Sequence, residues 1–136
     1  FWQKKFLVEK LNSAYDIEDL GTDSEESVHY PHFAKILVEN VLKNPGTRGI
    51  LLCGSGIGVS IVANRFRGIR AALCRDEEDA QMSRKHNNSN VICLGGRRTS
   101  EDDLLDIVNV WLAEEFEGGR HQGRVEMFDS LGESFQ

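Results

Sequence analysis

GILLCGSGIGVS, residues 49–60, is the stretch that decides the fold, because an apolar run ends abruptly at a cysteine and a glycine-rich loop. A continuous apolar run of this length is typical of a strand that is buried on both faces of a sheet. Gly54, Gly56 and Gly58 carry no Cβ, so their backbone N–H groups can converge on a negatively charged oxygen. The positive end of a following helix would add to the same field. We therefore predict an anion-binding loop, with Cys53 beside it reacting as a thiolate.

On both sides of this stretch, apolar strand-like segments alternate with amphipathic helices. The predicted strands cover residues 16–21, 48–53, 69–74 and 91–94. The predicted helices cover residues 1–15, 31–43, 57–66, 77–86 and 100–116, followed by a shorter one after residue 119. This alternation with short turns predicts a three-layer α/β/α sandwich on an open parallel sheet, Rossmann-like or flavodoxin-like. Ligands bind beyond the carboxyl ends of such strands, so Cys53, Asp76 and residues 95–97 should share one rim.

Composition limits the class of protein. The 136 residues suffice for one domain, 1–136, and the net charge of −6 argues against a nucleic-acid-binding surface. No apolar run reaches the roughly 18 residues needed to span a bilayer, so we expect no membrane partner. Three cysteines without CxxC spacing favour the reducing cytoplasm, with Cys74 and Cys93 packed inertly in strands.

The candidate site residues each allow a structural and a functional interpretation. GSGIG fits neither a dinucleotide fingerprint nor a P-loop, so it is either a tight turn or an anion site. His86 and Asn87 at a helix end either compensate the helix dipole or hold and protonate sugar hydroxyls. Arg97, Arg120 and Arg124 are either solvated or form a phosphate clamp, the last two on one face of the terminal helix. No group of His, Asp and Glu has metal-ligand spacing along the chain.

With these residues identified, the chain resembles the type B ribose-5-phosphate isomerases and the related galactose-6-phosphate isomerase subunits. The similarity covers essentially the whole sequence. Its motifs, in family order, are DIEDLGTDSEES, HYPHFA, ILLCGSGIGVSIVANRFRGIRAALCRD, SRKHNNSNVICLGGR and GGRHQGRVEMF. The resemblance implies isomerisation of ribose 5-phosphate to ribulose 5-phosphate through an enediolate, without a metal ion or other cofactor.

The resemblance also implies roles for particular residues. Cys53 would be the base, and His86, helped by Ser55, would open the sugar ring. The enediolate oxygen would be held by backbone N–H groups of Gly54, Gly56, Ile57 and Gly58. The remaining contacts to substrate would come from Tyr30, Asn87, Arg97, Arg120 and Arg124. Family members are dimers or dimers of dimers with shared sites, so residues 116–136 are expected to form a helical arm that reaches a second copy.

Two departures from the family pattern stand out. The family normally opens with a central strand that ends in an Asp-His pair, whereas this sequence begins at Phe1. We expect upstream residues to supply that pair. His29 stands where an acidic residue commonly precedes Tyr-Pro, and we expect a neutral surface change there.

Other functions remain open at this point. The same residues would suit an isomerase of a six-carbon sugar phosphate, such as allose or galactose 6-phosphate. They would also suit a non-catalytic sugar-phosphate-binding relative, although such a protein would not need a reactive thiol at Cys53.

Overall fold

A computed structural model describes residues 2–21 and 30–132. Helices α1 and α2 come first, and three strands then alternate with further helices. In chain order the elements are α1 (Trp2–Leu11), α2 (Tyr30–Lys43), β1 (Gly49–Cys53), α3 (Ile57–Ala63), β2 (Ala71–Leu73), α4 (Glu77–Asn87), β3 (Val91–Gly95), α5 (Glu101–Ala113), a 3-10 turn (Gly119–His121) and α6 (Gln122–Ser130). None of the helices described is long and apolar enough to cross a bilayer.

The three strands form an open parallel sheet in the order β1-β3-β2. In the register, Gly49 pairs with Val91 at the amino ends of the strands, which form the amino edge of the sheet. Cys53 pairs with Gly95 at the carboxyl ends, which form its carboxyl edge. The central strand β3 is apolar and buried from Val91 to Leu94, because both faces of a parallel sheet are covered by helices. The predicted open α/β sheet is confirmed.

Helices cover the sheet on both sides and create two cores. Ile92 and Leu94 of β3 point into a core that they share with α1, α4 and α5. Val91 and Cys93, which alternate with them, point into the core formed with α2 and α3. This arrangement is the predicted three-layer α/β/α sandwich.

The predicted strand at residues 16–21 is wrong. This segment makes no ladder with any strand of the sheet, and it borders a cavity of about 1070 Å³ that also follows β1 along its length. An extended segment becomes a strand only when a neighbour accepts its backbone hydrogen bonds. The cavity lies along the side of β1 that faces away from β3, between β1 and residues 16–21. The segment therefore has no strand beside it. Instead, Asp19 anchors the segment to α1 through an ion pair with Lys4 at 3.1 Å.

The predicted helix starts are confirmed at two caps. The Asp76 carboxylate accepts a hydrogen bond from the Asp79 N–H at 2.8 Å, and the Ser100 hydroxyl accepts one from the Asp103 N–H at 3.2 Å. Acidic residues fill the first turns of α4 and α5, where they complement the positive helix end. His29, for which we expected a neutral surface change, lies outside the described residues.

Helix α5 ends three residues earlier than predicted because the partly buried Arg48 and the buried Arg84 bind carbonyl groups at its end. Arg48 donates from Nη1 to the carbonyl oxygens of Trp111 and Leu112, at 3.1 and 3.0 Å. Arg84 donates from Nε to the carbonyl of Glu114 at 3.2 Å, where the backbone is already extended. These side chains satisfy carbonyl groups that a helix end leaves unpaired.

A group of buried polar side chains links α4, the turn before β3 and α5. Ser89 is 1 % exposed, and its hydroxyl accepts a hydrogen bond from the indole N–H of the fully buried Trp111 at 2.8 Å. The same hydroxyl lies 2.9 Å from that of Ser83. Ser89 therefore satisfies the indole, which has no access to water.

We predict that Ser89→Ala lowers the free energy of unfolding by about 2 kcal/mol, because it leaves the buried indole N–H without an acceptor. Urea unfolding followed by tryptophan fluorescence measures the change. Ser130→Ala, at an exposed serine, is the control and should change stability by less than about 0.5 kcal/mol. Equal stability of the Ser89 variant and the parent protein would contradict the proposed role of this group.

Candidate active site

The glycine-rich loop that follows β1 crosses the end of the central strand. The Gly96 N–H donates to the Cys53 carbonyl at 2.7 Å, and the Arg97 N–H donates to the Gly54 carbonyl at 3.0 Å. A Cβ on Gly95 would lie 2.6 Å from the carbonyl oxygen of Ser55, so the crossing requires glycine there. Gly56 has a φ of +78°, which other residues rarely adopt. These two glycines fix the thiol of Cys53 at the carboxyl edge of the sheet.

Two further side chains approach this loop. A Cβ on Gly54 would meet the Arg97 guanidinium at 2.9 Å, and one on Gly58 would meet the Tyr30 hydroxyl at 2.5 Å. Tyr30, Cys53, Gly54 and Arg97 all line the cavity beside β1. The structure thus brings together four of the predicted site residues at the predicted rim.

The hydroxyl of Ser55 has a local role in this structure. It accepts a hydrogen bond from the Ile57 N–H at 3.2 Å, at the start of α3. One of the N–H groups predicted to hold an oxyanion is therefore engaged by the loop itself. Ser55 is exposed and no described hydrogen bond joins it to His86.

The three thiols have different environments. Cys53 is partly exposed, whereas Cys74 and Cys93 are buried as predicted. Burial raises the pKa of Cys74 to about 12 and the pKa of Cys93 to about 12, so neither forms a thiolate near neutral pH. Cys53 is the thiol placed for chemistry.

His86 and Asn87 lie at the opposite edge of the sheet. They end α4, which returns antiparallel to the strands and leads directly into the start of β3. The five residues of β3, at about 3.3 Å per residue, place this amino edge about 13 Å from the carboxyl edge. Within one chain, His86 and Cys53 therefore do not face each other across a sugar-sized site.

The terminal arm packs against the same amino edge. The Glu117 N–H donates to the Lys85 carbonyl at 3.1 Å, and the ring of His121 stacks on that of His86 with centroids 4.3 Å apart. Arg120 donates from Nε to His121 Nε2 at 3.5 Å. The prediction that Arg120 and Arg124 share the terminal helix is wrong for Arg120, which lies in the 3-10 turn before α6 because two left-handed glycines precede it.

His121 was not predicted as a site residue, although it lies within the motif GGRHQGR. It is 7 % exposed, and its burial, with the nearby positive charges of His86 and Arg120, lowers its pKa. The pattern of apolar and polar residues could not reveal that His121 contacts His86, because the two residues are distant in sequence. The signal available in the sequence was a histidine between two arginines in that motif.

Two arginines, the partly buried Arg70 and the buried Arg84, hold the turn that carries His86 and Asn87. Arg70 donates from Nε to the Asn88 carbonyl at 2.7 Å and from Nη1 to Asp129 of α6 at 2.9 Å. Arg84 donates to the side chain of Asn88 at 3.0 Å, and burial lowers its pKa to about 10, so it stays charged at neutral pH. Asn88 itself has a left-handed φ of 50°. The turn and the arm are thus fixed as one unit.

One chain therefore carries two separate groups of predicted residues. The carboxyl-edge group contains Tyr30, Cys53, the glycine loop and Arg97, and it offers a base, backbone donors and one cation. The amino-edge group contains His86, Asn87, Arg120, His121 and Arg124, and it offers a proton-transfer group with two cations. Among the described residues, no hydrogen bond, ion pair or ring contact joins the two groups.

Comparison with known proteins gives consistent matches over most of the chain. The Ribose/Galactose Isomerase family model matches residues 1–128. The chain is 43 % identical to ribose-5-phosphate isomerase B of Escherichia coli over 116 residues, which is 85 % of this chain and 78 % of that protein.

Solved structures agree with these matches. A ribose 5-phosphate isomerase of Thermotoga maritima superposes with a TM-score of 0.92 at 45 % identity, covering 96 % of this chain and 91 % of that one. The ribose-5-phosphate isomerase B of Mycoplasma genitalium, solved with bound ribulose 5-phosphate, also has a TM-score of 0.92. It is 37 % identical and covers 96 % of this chain and 88 % of its own. With a matching family model, a shared fold and the motif residues in place, the chain belongs to the ribose/galactose isomerase family.

Proposed function

We propose that the protein interconverts ribose 5-phosphate and ribulose 5-phosphate, as an enzyme of the non-oxidative pentose phosphate pathway. The placement of Cys53 at the carboxyl edge, between a glycine loop, Tyr30 and Arg97, is the observation that carries this proposal. The names of the relatives at 39–43 % identity support a pentose phosphate as substrate. A six-carbon sugar phosphate is the less favoured alternative.

Cys53 acts as the base of the isomerisation. Its thiolate takes the proton from carbon 2 of the open-chain aldose, and the electron pair forms an enediolate with the charge on the carbonyl oxygen. The proton of the carbon-2 hydroxyl then moves to the oxygen on carbon 1, and Cys53 returns its proton to carbon 1. The carbonyl group now stands at carbon 2, and no atom or electron is gained or lost. The backbone N–H groups of Gly54, Gly56 and Gly58 stabilise the enediolate oxygen, since donors aimed at a developing charge can contribute about 3 kcal/mol each.

A second copy of the chain completes the site. Cys53 and His86 lie at opposite edges of one sheet, about 13 Å apart along β3, so one substrate cannot contact both within a chain. In a symmetric dimer, the amino edge of one copy faces the carboxyl edge of the other at two equivalent sites. His86 and Asn87 then act on the sugar ring, while Arg120 and Arg124 bind the phosphate. A homodimer, or a dimer of dimers, is the assembly that this arrangement favours.

A cytoplasmic location follows from the same chemistry. The three cysteines are unpaired, and the mechanism requires that Cys53 stay reduced. A reducing compartment maintains such a thiol.

We predict that Cys53→Ala lowers kcat at least about 100-fold, because the substitution removes the proton-transferring group. Ribulose 5-phosphate formation measures the effect. Cys74→Ala, at a buried thiol directly after β2, is the control and should retain kcat within a factor of about two. Undiminished activity of the Cys53 variant would remove this thiol from the mechanism.

For the phosphate-binding arginines, we expect Arg124→Ala to raise KM for ribose 5-phosphate about tenfold or more, with a smaller change in kcat. The phosphate group is bound almost equally in the ground and transition states, so its loss appears mainly in KM. Steady-state kinetics against Arg65→Ala, at an exposed arginine outside both groups, checks this. Identical KM values for the two variants would show that Arg124 does not bind the phosphate.

A further inference from the structure

The stacked histidines at the amino edge form a three-residue group with the carboxylate of Glu117. His86, Glu117 and His121 each offer one ligand atom, and these atoms all lie within 4.8 Å of one another. The three residues come from the end of α4, the loop after α5 and the 3-10 turn, so tertiary packing alone brings them together. None of the predicted substrate contacts uses Glu117.

Two features hold this group in place. The Glu117 backbone is tied to Lys85, the residue before His86, by a 3.1 Å hydrogen bond. The ring of His121 is 7 % exposed and lies at an interplanar angle of 23° to that of His86. Of the three side chains, only that of Glu117 is exposed and free to change its rotamer. Packing therefore fixes where the two imidazole rings lie, and a shared ion requires each ring to turn until both ring planes meet at it.

The spacing is close to that of a zinc site. Three atoms at the corners of a triangle with 4.8 Å sides lie about 2.8 Å from its centre, and Zn–N bonds measure about 2.0–2.1 Å. A shift of about 0.7 Å by each of the three side chains toward a common centre would close the site. Two imidazoles and one carboxylate are a ligand set that Zn²⁺ accepts, with a fourth position left for water.

We propose that His86, Glu117 and His121 bind Zn²⁺ in an open site, and that the bound ion inhibits the enzyme. The inhibitory part rests on the proposed function, because the ion occupies the nitrogen of His86 that would otherwise exchange a proton with the sugar. The binding part stands on the geometry alone.

Nearby charges set the strength of this site. Arg120 and Arg124 face His121, and Arg120 donates to its Nε2 at 3.5 Å. Their positive charge opposes a cation, whereas the single carboxylate of Glu117 favours it. Binding is therefore weaker than at closed structural zinc sites and reversible by chelators, as suits inhibition.

Competition between the protein and a fluorescent zinc chelator tests the binding. We expect about one Zn²⁺ per chain, with affinity reduced at least tenfold in Glu117→Gln. Glu115→Gln, an exposed carboxylate two residues away, is the matched control and should bind as the parent protein does. Cys53→Ser should also keep the binding, which separates this site from a zinc–thiolate complex. Equal affinity of the Glu117 and Glu115 variants, or loss of binding in Cys53→Ser, would overturn the proposed site.

Isomerase assays with added ZnCl₂ test the inhibition. Glu117→Gln should keep the activity of the parent protein without zinc and need at least tenfold more zinc for half inhibition. Equal inhibition of parent and variant would refute the inhibitory role, even where zinc binding is found. A parent protein without isomerase activity would instead refute the proposed function. The zinc site would then be tested by the chelator competition alone.

Discussion

The direction of the parallel sheet is the constraint on which the rest of the structure depends. Every strand ends at one edge, and every helix that returns between strands ends at the other. Cys53 follows a strand and His86 ends a helix, so the topology alone separates them by the length of β3. No side-chain rotation within one chain can remove a separation of about 13 Å. The division of the chemistry between two groups is thus a property of the fold itself.

Close backbone packing makes the carboxyl-edge group rigid. The loop after Cys53 passes over the end of β3 so closely that Gly95 and Gly56 have no space for a side chain. Hydrogen bonds from Gly96 and Arg97 fasten the loop to the next strand end. The amino-edge group is held differently, by charged side chains: Arg70 and Arg84 bind the turn at Asn88 and connect it to the arm. Preorganisation of this kind suits a reaction in which charge develops at a fixed position.

Much of this could be predicted from the sequence where the signal is local. The Cys53–Gly58 loop, the caps at Asp76 and Ser100 and the position of Arg97 depend on residues within a few positions of one another. The prediction of a strand at residues 16–21 was wrong because strand pairing requires a neighbouring strand, and this segment borders a cavity instead. Glu117 and His121 escaped prediction because they follow His86 by more than thirty residues. The separation of His86 from Cys53 also needed the topology, since helix ends and strand ends look alike in a pattern.

Subunit complementation tests most directly whether two copies share each site. Cys53→Ala and His86→Ala are each expected to be nearly inactive, and mixing them under conditions of subunit exchange creates dimers with one intact site. With equal amounts and random exchange, half of the dimers are mixed and each has one working site of two, so activity should return to about a quarter of the parent value. A mixture no more active than either variant, with exchange verified by differently tagged chains, would contradict the shared site.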